Sequence, residues 1–528
     1  MNKTKIPYHK TGYFSNLMLD YLAEKESIKP FYNNSHSIEG YKKQLEEKQF
    51  SDENRKVLIK TLEQQYEGLD LTDLVKTNLK NLNQSNTYTV TTGHQLNLFT
   101  GPLYFIYKIV SAINLAKELK NNFPDKDFVP VFWMATEDHD FEEINHFNLF
   151  GKKHEINSNQ TGAVGRMKLD GVDAVFTQLE ETLNGRTGLE SIIEKLKNYY
   201  QSNKTYTQAV RELVNHLFGK YGLVIIDGDD KKLKSLFVDK FKSELLGRNN
   251  YKLINSTSEK LESLGFKKQV NPREINLFYL KNDIRERIIF EENRYKVLNT
   301  EIQFSEKEIL QELENYPDNF SPNAVMRPLY QEIVLPNLAY IGGGGELAYW
   351  LQLKEMFDNN GIAFPVLVMR NSAMIIDGGS QKKIDKLELT TEQLFLPLDN
   401  LVKSYLKEES DITLDLKSEE KSVELVFEDI VNKAGKIDST LQPMIKAELQ
   451  KSLKSIQNIE VRLVRAEKQK EEVAINQIKG IKEKLFPNGS LQERKDNFLY
   501  AYLLLGDSFI DVLVEELNPF EQEFVVLS

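Results

Sequence analysis

Short, continuously apolar segments that recur between helical stretches constrain the fold of this chain more than any other feature. Four of them are "TYTV" (87–90), "DFVPVFWMA" (127–135), "YGLVIID" (221–227) and "AFPVLVMR" (363–370). Polar or glycine-rich residues follow each segment, and helical patterns separate them. Apolar runs of this length are typical of parallel strands that are buried on both faces. The pattern therefore predicts an α/β fold with a parallel sheet covered by helices.

Two other stretches have a different character. Residues 1–80 are mostly helical and polar, whereas "EINLFYLKNDIRERIIFEENRYKVL" (274–298) alternates apolar and polar side chains. Alternation with a period of two is typical of strands with one buried face. We therefore expect a small antiparallel insert within 265–305.

The region 415–486 is charged, contains few glycines and has an approximate 3.5-residue apolar spacing. Its apolar positions include Leu449, Leu453, Ile456, Leu463 and Val473. Glu460 and Glu467 interrupt that spacing. Such a stretch predicts an extended helical hairpin or coiled coil, and the alternative is a solvated helical pair without a partner. Pro487 and Gly489 end it, and the apolar C-terminal residues are expected to pack back on the body of the protein.

Length and charge narrow the functional classes. A chain of 528 residues suggests two or three domains, and its net charge of −11 does not favour nucleic acid as the main partner. The absence of cysteine excludes disulfides, cysteine-ligated zinc, iron–sulfur clusters and a thiol nucleophile. The first residues have no apolar signal core and no long apolar run occurs, so we expect a cytoplasmic protein without a membrane span.

The segment "TTGHQLNLFTGPLYFIYK" (91–108) crosses from the first predicted strand into a helix. Gly101 and Pro102 are expected to begin that helix, because proline is tolerated at a first helical position. Tyr104 and Lys108 then share one helical face near the positive end of the helix dipole. This crossing suits a phosphate or a carboxylate, and doubly wound sheets commonly bind nucleotides at such a place.

His94 adds chemistry to this crossing. "TTGH" (91–94) is similar to the second half of the HxGH signature of adenylate-forming nucleotidyltransferases, in which a histidine stabilises charge that develops on phosphate. Thr91 replaces the first histidine, and no later lysine-rich loop of the kind that accompanies the signature is present. A polar turn with a hydrogen-bonded histidine is the structural alternative.

The segment "PVFWMATEDHDFEEINH" (130–146) places acids at the end of a buried strand. Glu137, Asp138 and Asp140 lie there with His139 and His146. Crowded carboxylates can act as general bases or bind an ammonium group. A metal site and an acid-rich helix N-terminus are the alternatives, although the spacing matches no strong metal motif.

A glycine tetrad precedes a helix in "LAYIGGGGELAYWLQLKEMF" (338–357). Glycines allow a backbone to approach a ligand closely, but the pattern is neither a dinucleotide fingerprint nor a P-loop. Glu346, Tyr349 and Trp350 follow on one helical face and could form a binding wall, although a tryptophan at such a position can also be core. Arg327 and Arg370 could bind a carboxylate, or Arg370 could form a structural salt bridge.

Taken in order, "TGHQLNLFTGPLYFIYK", "VPVFWMATEDHDFEEINH", "SPNAVMRPLYQ", "LAYIGGGGELAYWLQLKEMF", "PVLVMRNS" and "LFPNGSLQER" resemble the bacillithiol biosynthesis cysteine-adding enzymes over nearly the whole chain. The resemblance implies a Rossmann-like parallel-sheet core with inserted connecting segments and a C-terminal α-helical coiled coil that forms a homodimer. It implies ligation of the carboxyl group of cysteine to the amine of glucosaminyl-malate, the last step of bacillithiol biosynthesis. The family loop often reads Gly-Gln-Gln where this chain has Gly93, His94 and Gln95, which argues against an indispensable His94.

The expected domains are a core over 1–385 with inserts near 155–205 and 265–310, a helical coiled coil over 386–490, and a returning segment over 491–528. The candidate catalytic residues are Asp138, His139, Asp140 and His94. The candidate binding residues are Gly93, Gln95, Gly101, Tyr104, Lys108, Glu137, Asn145, His146, Arg327, Gly343, Gly344, Glu346, Tyr349, Trp350 and Arg370. The sequence does not identify a cofactor; ATP with Mg²⁺ is the candidate co-substrate, no tightly bound metal is expected, and the cysteine thiol is expected to be recognised by shape.

Two other functions remain open at this point. One is a different carboxylate–amine ligase of the pantoate–alanine joining type, which would use ATP but another amine. The other is a coiled-coil scaffold without catalytic activity, in which the Rossmann-like core only binds a ligand. Clustered histidine, acids, arginines and glycines at several strand ends favour an enzyme.

Overall fold

The computed structural model describes residues 2–409 and 415–528. Two compact units are present. One comprises Met1–His9, Tyr13–Ile375 and Ser490–Leu527, and the other comprises Lys10–Gly12, Ile376–Gly489 and Ser528.

The strands, in chain order, are β1 (Lys3–Pro7), β2 (Thr87–His94), β3 (Asp127–Met134), β4 (His146–Leu149), β5 (Lys152–Glu155), β6 (Val224–Asp227), β7 (Leu277–Lys281), β8 (Ile284–Glu291), β9 (Arg294–Val297), β10 (Gln303–Phe304), β11 (Phe320–Pro322), β12 (Asn337–Gly342), β13 (Val366–Met369), β14 (Ser372–Ile375) and β15 (Glu523–Leu527).

The α-helices are α1 (Tyr8–Thr11), α2 (Asn16–Leu22), α3 (Ile38–Glu47), α4 (Asp52–Gln65), α5 (Asp73–Asn81), α6 (Tyr104–Asn122), α7 (Phe141–Ile144), α8 (Val172–Leu183), α9 (Glu190–Tyr199), α10 (Tyr206–Phe218), α11 (Lys231–Ser235), α12 (Val238–Gly247), α13 (Asn249–Ser263), α14 (Glu306–Asn315), α15 (Arg327–Val334), α16 (Gly344–Trp350), α17 (Lys354–Asn359), α18 (Gly378–Lys386), α19 (Leu398–Glu409), α20 (Lys417–Ile437), α21 (Gln442–Lys470), α22 (Glu472–Leu485), α23 (Phe498–Leu505) and α24 (Phe509–Glu516). Single 3₁₀ turns join several of these elements.

A parallel sheet of order β13–β12–β2–β3–β6 forms the centre of the first unit. The four apolar segments correspond to β2, β3, β6 and β13, so the predicted parallel α/β fold is confirmed. The inner strand β12 was not among the predicted strands; its six residues follow Pro336 and end at Gly342, the first glycine of the tetrad. β2 also continues through His94, so Thr91 to His94 are strand residues rather than loop residues.

The core of this unit lies where α6 packs on the sheet. Ala112, Leu115 and Leu119 of α6 are buried against Val90 of β2 and Ile341 of β12. Each of these leucine, valine and isoleucine side chains stabilises the fold by about 1.5–3 kcal/mol when it is fully buried. α6 begins directly after the segment that connects it to β2, so the packing of α6 on the sheet fixes the position of that connecting segment.

A second sheet, of order β10–β9–β8–β7–β11, is antiparallel throughout and contains the predicted antiparallel insert. Asn282 has a left-handed φ of 51° in the turn between β7 and β8, which suits asparagine. A third sheet pairs β15 with β1 and β14, so the C-terminal strand belongs to the first unit.

The second unit contains the helical hairpin of α20 and α21, in agreement with the predicted coiled coil. Ile445 is buried in it, and Glu460 accepts a hydrogen bond from the Leu416 backbone N–H at 3.4 Å. Of the apolar positions on the 3.5-residue spacing, Leu463 and Val473 are 40% and 74% exposed within this chain. The 3.5-residue spacing drifts around an α-helix, so a seam extrapolated over many turns loses its register.

Within residues 2–409 and 415–528, no helix combines the length and the apolar character that crossing a bilayer requires.

Candidate active site

A cavity of about 750 Å³ opens at the carboxyl ends of β2, β3 and β12. The chain leaves β2 towards β3 on one side, while β12 lies on its other side. Ligands bind at such switch points in open α/β sheets because the connections diverge there and leave a crevice.

Lys108 and Glu346 form the floor of the cavity. The Lys108 ammonium donates to the Gly93 carbonyl at 2.5 Å and to Glu346 Oε2 at 2.7 Å, and the Tyr340 hydroxyl donates to Glu346 Oε1. Burial lowers the pKa of Lys108, and Glu346 opposes that shift. Both charges are therefore already paired within the protein, and Lys108 joins the end of β2 to the first turn of α16.

Asp138 is held at the end of β3 by donors from two segments. Its Oδ1 accepts the His139 backbone N–H at 2.7 Å, and its Oδ2 accepts the Gln95 side-chain amide at 2.7 Å. Gln95 also donates to Glu143 Oε2 at 2.7 Å. The crossing after β2 and the acidic segment after β3 are thus joined through one glutamine.

Glu137 lines the cavity and forms an ion pair with a buried lysine. Lys234, which is fully buried, lies 2.7 Å from Glu137 Oε1 and 2.9 Å from Asp229 Oδ1. Burial raises the pKa of Glu137, and the neighbouring Lys234 opposes that shift. An ammonium group buried between two carboxylates makes this corner a structural charge cluster. Lys234 was not a candidate, because "KKLKSL" is indistinguishable from a surface helix by sequence.

Arginines from the antiparallel sheet form the opposite wall. Arg285 and Arg287 of β8 line the cavity with Arg273, which precedes β7. Arg285 is 9% exposed, stacks over the Phe278 ring at 4.0 Å and contacts His139 Nδ1 at 2.5 Å. These arginines were not candidates, although their i, i+2 spacing in "DIRER" would have placed both side chains on one face of a strand.

Of the predicted site residues, the cavity brings together Gly93, His94, Gln95, Lys108, Glu137, Asp138, His139, Arg327, Glu346 and Tyr349. Other predicted site residues do not line it, namely Asp140, Gly101, Tyr104, Asn145, His146, Gly343, Gly344, Trp350 and Arg370.

Several residues outside the cavity have evident structural partners. Arg370 is 4% exposed and donates to Glu493 at 2.7 Å, the structural salt bridge that was its alternative role. Trp350 is fully buried and stacks on Tyr340 at 4.3 Å between ring centroids. Asp140 caps α7 by accepting the Glu143 backbone N–H.

His94 lies at the edge of the cavity with its ring against Phe105 and Tyr104, at 5.1 and 5.4 Å between centroids. Its Nδ1 lies 3.1 Å from the Gln95 carbonyl. Burial lowers the pKa of His94 to about 4, and the Lys108 charge adds to this effect. His94 is therefore neutral near pH 7 and cannot offer a full positive charge to a phosphate.

The cavity combines a cationic wall with a set of carboxylates. Arginines bind carboxylate or phosphate oxygens, whereas Asp138 can bind an ammonium group or accept a proton from it. Such a cavity can hold an anionic group and an amine at the same time. Within the described ranges, no group of three or more histidine, aspartate or glutamate side chains is arranged to hold a metal ion.

Comparison with known proteins agrees with this architecture. Residues 1–371 match the N-terminal Rossmann-like domain of the bacillithiol biosynthesis BshC family, and residues 373–528 match its C-terminal coiled-coil domain. The protein named "Putative cysteine ligase BshC" of Flavobacterium psychrophilum is 46% identical, over 99% of this chain and 98% of its own. The protein of the same name from Flavobacterium johnsoniae is 44% identical, over 99% of both chains.

A relative from Bacillus anthracis with the same name is 29% identical over 95% of both chains. The matches thus extend over both units and beyond a single bacterial group. This chain belongs to the BshC family of bacillithiol biosynthesis, whose curated members are named as cysteine ligases.

Proposed function

We propose that this protein is a cysteine ligase that joins the carboxyl group of L-cysteine to the amine of glucosaminyl-malate and so forms bacillithiol. The proposal rests on family membership together with one structural observation. The cavity at the switch point has arginines on one wall and Asp138 on another. A substrate that carries both a dicarboxylate and an amine would find a complementary group for each.

The arginine wall suits the malate group. Arg273 and Arg287 have charged ends that can each bind a carboxylate through two parallel hydrogen bonds. Arg327 also lines the cavity. It donates to Gln331 at 2.9 Å and lies over the Tyr340 ring. We assign the malate carboxylates to these arginines, since Arg370 is occupied by Glu493.

Asp138 is the best candidate for the general base. Glu137 and Glu346 are paired with Lys234 and Lys108, whereas the partners of Asp138 are neutral hydrogen-bond donors. A carboxylate whose hydrogen-bond partners are neutral can accept the proton that the substrate ammonium group must lose before its nitrogen attacks. The amine of the sugar would therefore lie beside Asp138.

Amide formation from a free carboxylate requires activation, and we propose ATP with Mg²⁺ as the source. The cysteine carboxylate would attack a phosphate of ATP, giving an acyl-adenylate with pyrophosphate or an acyl-phosphate with ADP. The amine would then attack the acyl carbon, forming the C–N bond and releasing AMP or phosphate, while Asp138 takes the amine proton. Arginines in the cavity would stabilise the negative charge on the phosphate.

A mass-spectrometric assay tests this function. Purified protein is incubated with cysteine, glucosaminyl-malate, Mg²⁺ and ATP, and a parallel reaction omits ATP. We expect bacillithiol only in the complete reaction. AMP as the nucleotide product would indicate an acyl-adenylate intermediate, and ADP would indicate an acyl-phosphate. Absence of product from folded protein would contradict the proposal and favour another carboxylate–amine ligase or a scaffold.

Asp138→Asn supplies the matched variant for this assay. Asparagine keeps the size of the side chain and one hydrogen-bond acceptor but cannot accept the amine proton. We expect turnover to fall by about 10²–10⁴-fold with folding intact. Glu142→Gln, in the same acidic segment but outside the cavity lining, serves as the control that changes charge alone.

We further propose a homodimer that forms through the coiled coil, and a cytoplasmic location in which cysteine and ATP are available. The apolar side chains on α20 support the dimer. Val426, Ile430 and Ile437 recur on one helical face and are 58%, 41% and 84% exposed. Such a stripe gains stability when a second helix covers it.

A further inference from the structure

The contact between Arg285 and His139 determines what the histidine can do. Arg285 Nη1 lies 2.5 Å from His139 Nδ1. A guanidinium group carries only donors and does not lose its proton in proteins. Nδ1 must therefore accept, which leaves the ring proton of a neutral His139 on Nε2.

The neighbouring carboxylate does not compete for this nitrogen. Asp138 Oδ1 is 3.7 Å from His139 Nδ1, beyond hydrogen-bond distance, and it accepts the backbone N–H of His139 instead. In acid–base histidines a carboxylate commonly binds Nδ1–H and leaves Nε2 as the basic nitrogen. In His139 the two ring nitrogens have the opposite roles, because the Arg285 guanidinium group, and not a carboxylate, contacts Nδ1.

Arg285 is itself held in place. It is 9% exposed, stacks on Phe278 and reaches Ser321 Oγ at 3.5 Å. The His139 ring lies 5.4 Å from the same Phe278 ring. The side chain of His139 remains 49% exposed towards the cavity, and its Nε2 makes no hydrogen bond to the residues that the structure describes.

We propose that Arg285 is a positioning residue that fixes the Nε2–H tautomer of His139, so that His139 donates a hydrogen bond to an anionic oxygen of the substrate. The inference deepens the proposed function and rests on it for the identity of that oxygen. The oxygen belongs to a carboxylate or to a phosphate. In either case His139 acts with the arginine wall and not as a base beside Asp138.

The charged neighbours of His139 make the effect of removing Arg285 predictable. Burial and Arg285 lower the pKa of His139, whereas Asp138, Asp140 and Glu286 raise it. Without Arg285, the nearest charge to Nδ1 is the Asp138 carboxylate. That carboxylate favours a proton on Nδ1, so the tautomer should reverse and the ring should titrate at a higher pH.

Solid-state NMR of the full-length protein with ¹⁵N,¹³C-labelled histidine tests the proposal. The chain has seven histidines, and a His139→Asn spectrum assigns the relevant ring. At pH 8 we expect a bare Nδ1 and a protonated Nε2 in the native protein and in Arg285→Lys. Arg285→Met should shift most of the ring population to Nδ1–H.

Arg287→Met is the matched control, because Arg287 lies on the same strand and lines the same cavity without a hydrogen bond to His139. It should leave the His139 spectrum unchanged. A protonated Nδ1 in the native protein, or an unchanged tautomer in Arg285→Met, would overturn the proposal. If Arg285→Met does not fold, the native spectrum alone still decides between the two tautomers.

Two probes separate the sources of the anionic oxygen. L-Malate should shift the His139 Nε2 resonance if the acceptor is a carboxylate, and AMP should shift it if the acceptor is a phosphate. A resonance that neither probe moves would refute the donor role. These spectra do not depend on turnover. If the protein makes no bacillithiol but shows the Nε2–H tautomer, the missing product contradicts the proposed function, while the tautomer assignment still holds.

Discussion

Burial of the His94 side chain makes the stability of the folded protein depend on pH. The residue is neutral near pH 7, because burial lowers its pKa to about 4 from an ordinary value of 6.5. As the pH falls through 6.5, the unfolded chain binds a proton that the folded protein does not bind until about pH 4. Stability therefore falls with decreasing pH in this window.

His94→Gln should remove this contribution. We expect the free energy of unfolding, measured by urea denaturation, to fall less steeply between pH 6.5 and pH 4.5, by up to about 1.4 kcal/mol per pH unit. His9→Gln changes an exposed histidine and is the control for the histidine-to-glutamine substitution itself. An unaltered slope in His94→Gln would show that His94 titrates normally in the folded state.

Individual site residues differ in how far the sequence could identify them. Asp138 and Gln95 were predictable, because polar side chains at the ends of buried strands meet at one edge of a sheet. Arg285 and Lys234 were not, because they join the site through contacts distant in sequence, with His139 and Glu137 respectively. A single sequence does not distinguish such residues from surface cations.

Among the elements, the crossing between β2 and α6 depends on backbone geometry at Gly101. Its φ of 61° and ψ of −133° are accessible to glycine, and a Cβ there would lie 2.7 Å from Asn97 Cβ. The Gly101 carbonyl also accepts the Asn497 side-chain amide at 2.7 Å. Gly101 therefore shapes the crossing from outside the cavity.

We expect Gly101→Ala to reduce the free energy of unfolding by about 1–3 kcal/mol through backbone strain, with a further cost from the contact with Asn97. Calorimetric unfolding measures the change. Gly480→Ala is the control, since Gly480 lies within α22 and an added Cβ meets no atom within 4 Å. Equal stability of Gly101→Ala and the native protein would mean that the crossing adjusts freely.

The parallel strands with continuous apolar runs were predictable, whereas β12 was not. Its sequence "NLAYIG" is short and merges with the glycines that follow, so local signals favoured a loop. Its pairing with β2 and β13 is a tertiary effect. The missed strand matters for the site, because β12 carries Tyr340, whose hydroxyl binds Glu346.

The hairpin formed by α20 and α21 carries the proposed dimer interface. Val426→Glu combined with Ile430→Glu places two charges on the exposed apolar face of α20. We expect light scattering to report a mass near 61.1 kDa for this variant and about twice that for the native protein. Val473→Glu alters an apolar residue on α22 that is 74% exposed and should keep the native mass.

Leu453 is less suitable for that experiment. It is partly buried within the hairpin, so a charge there would disturb the packing of α20 against α21 as well as any dimer. A monomeric native protein would contradict the proposed homodimer without affecting the assignment of the site, because the cavity is lined by residues of the first unit alone.

For the molecule as a whole, family membership and the cavity lining both support the proposed reaction. The matches to the BshC family extend over both units, and the cavity at the switch point is lined by the arginines that we propose for a dicarboxylate and by Asp138, which we propose for an amine. We propose that amide formation takes place in this cavity, with the two functional groups of glucosaminyl-malate on different walls.

A crystal structure with bound glucosaminyl-malate would show whether the substrate lies in this way. We expect the malate carboxylates within hydrogen-bond distance of Arg273, Arg287 or Arg327, and the amine nitrogen within about 3.2 Å of an Asp138 oxygen. Glucosaminyl-malate bound in another cavity, or with its amine turned away from Asp138, would contradict amide formation at this site.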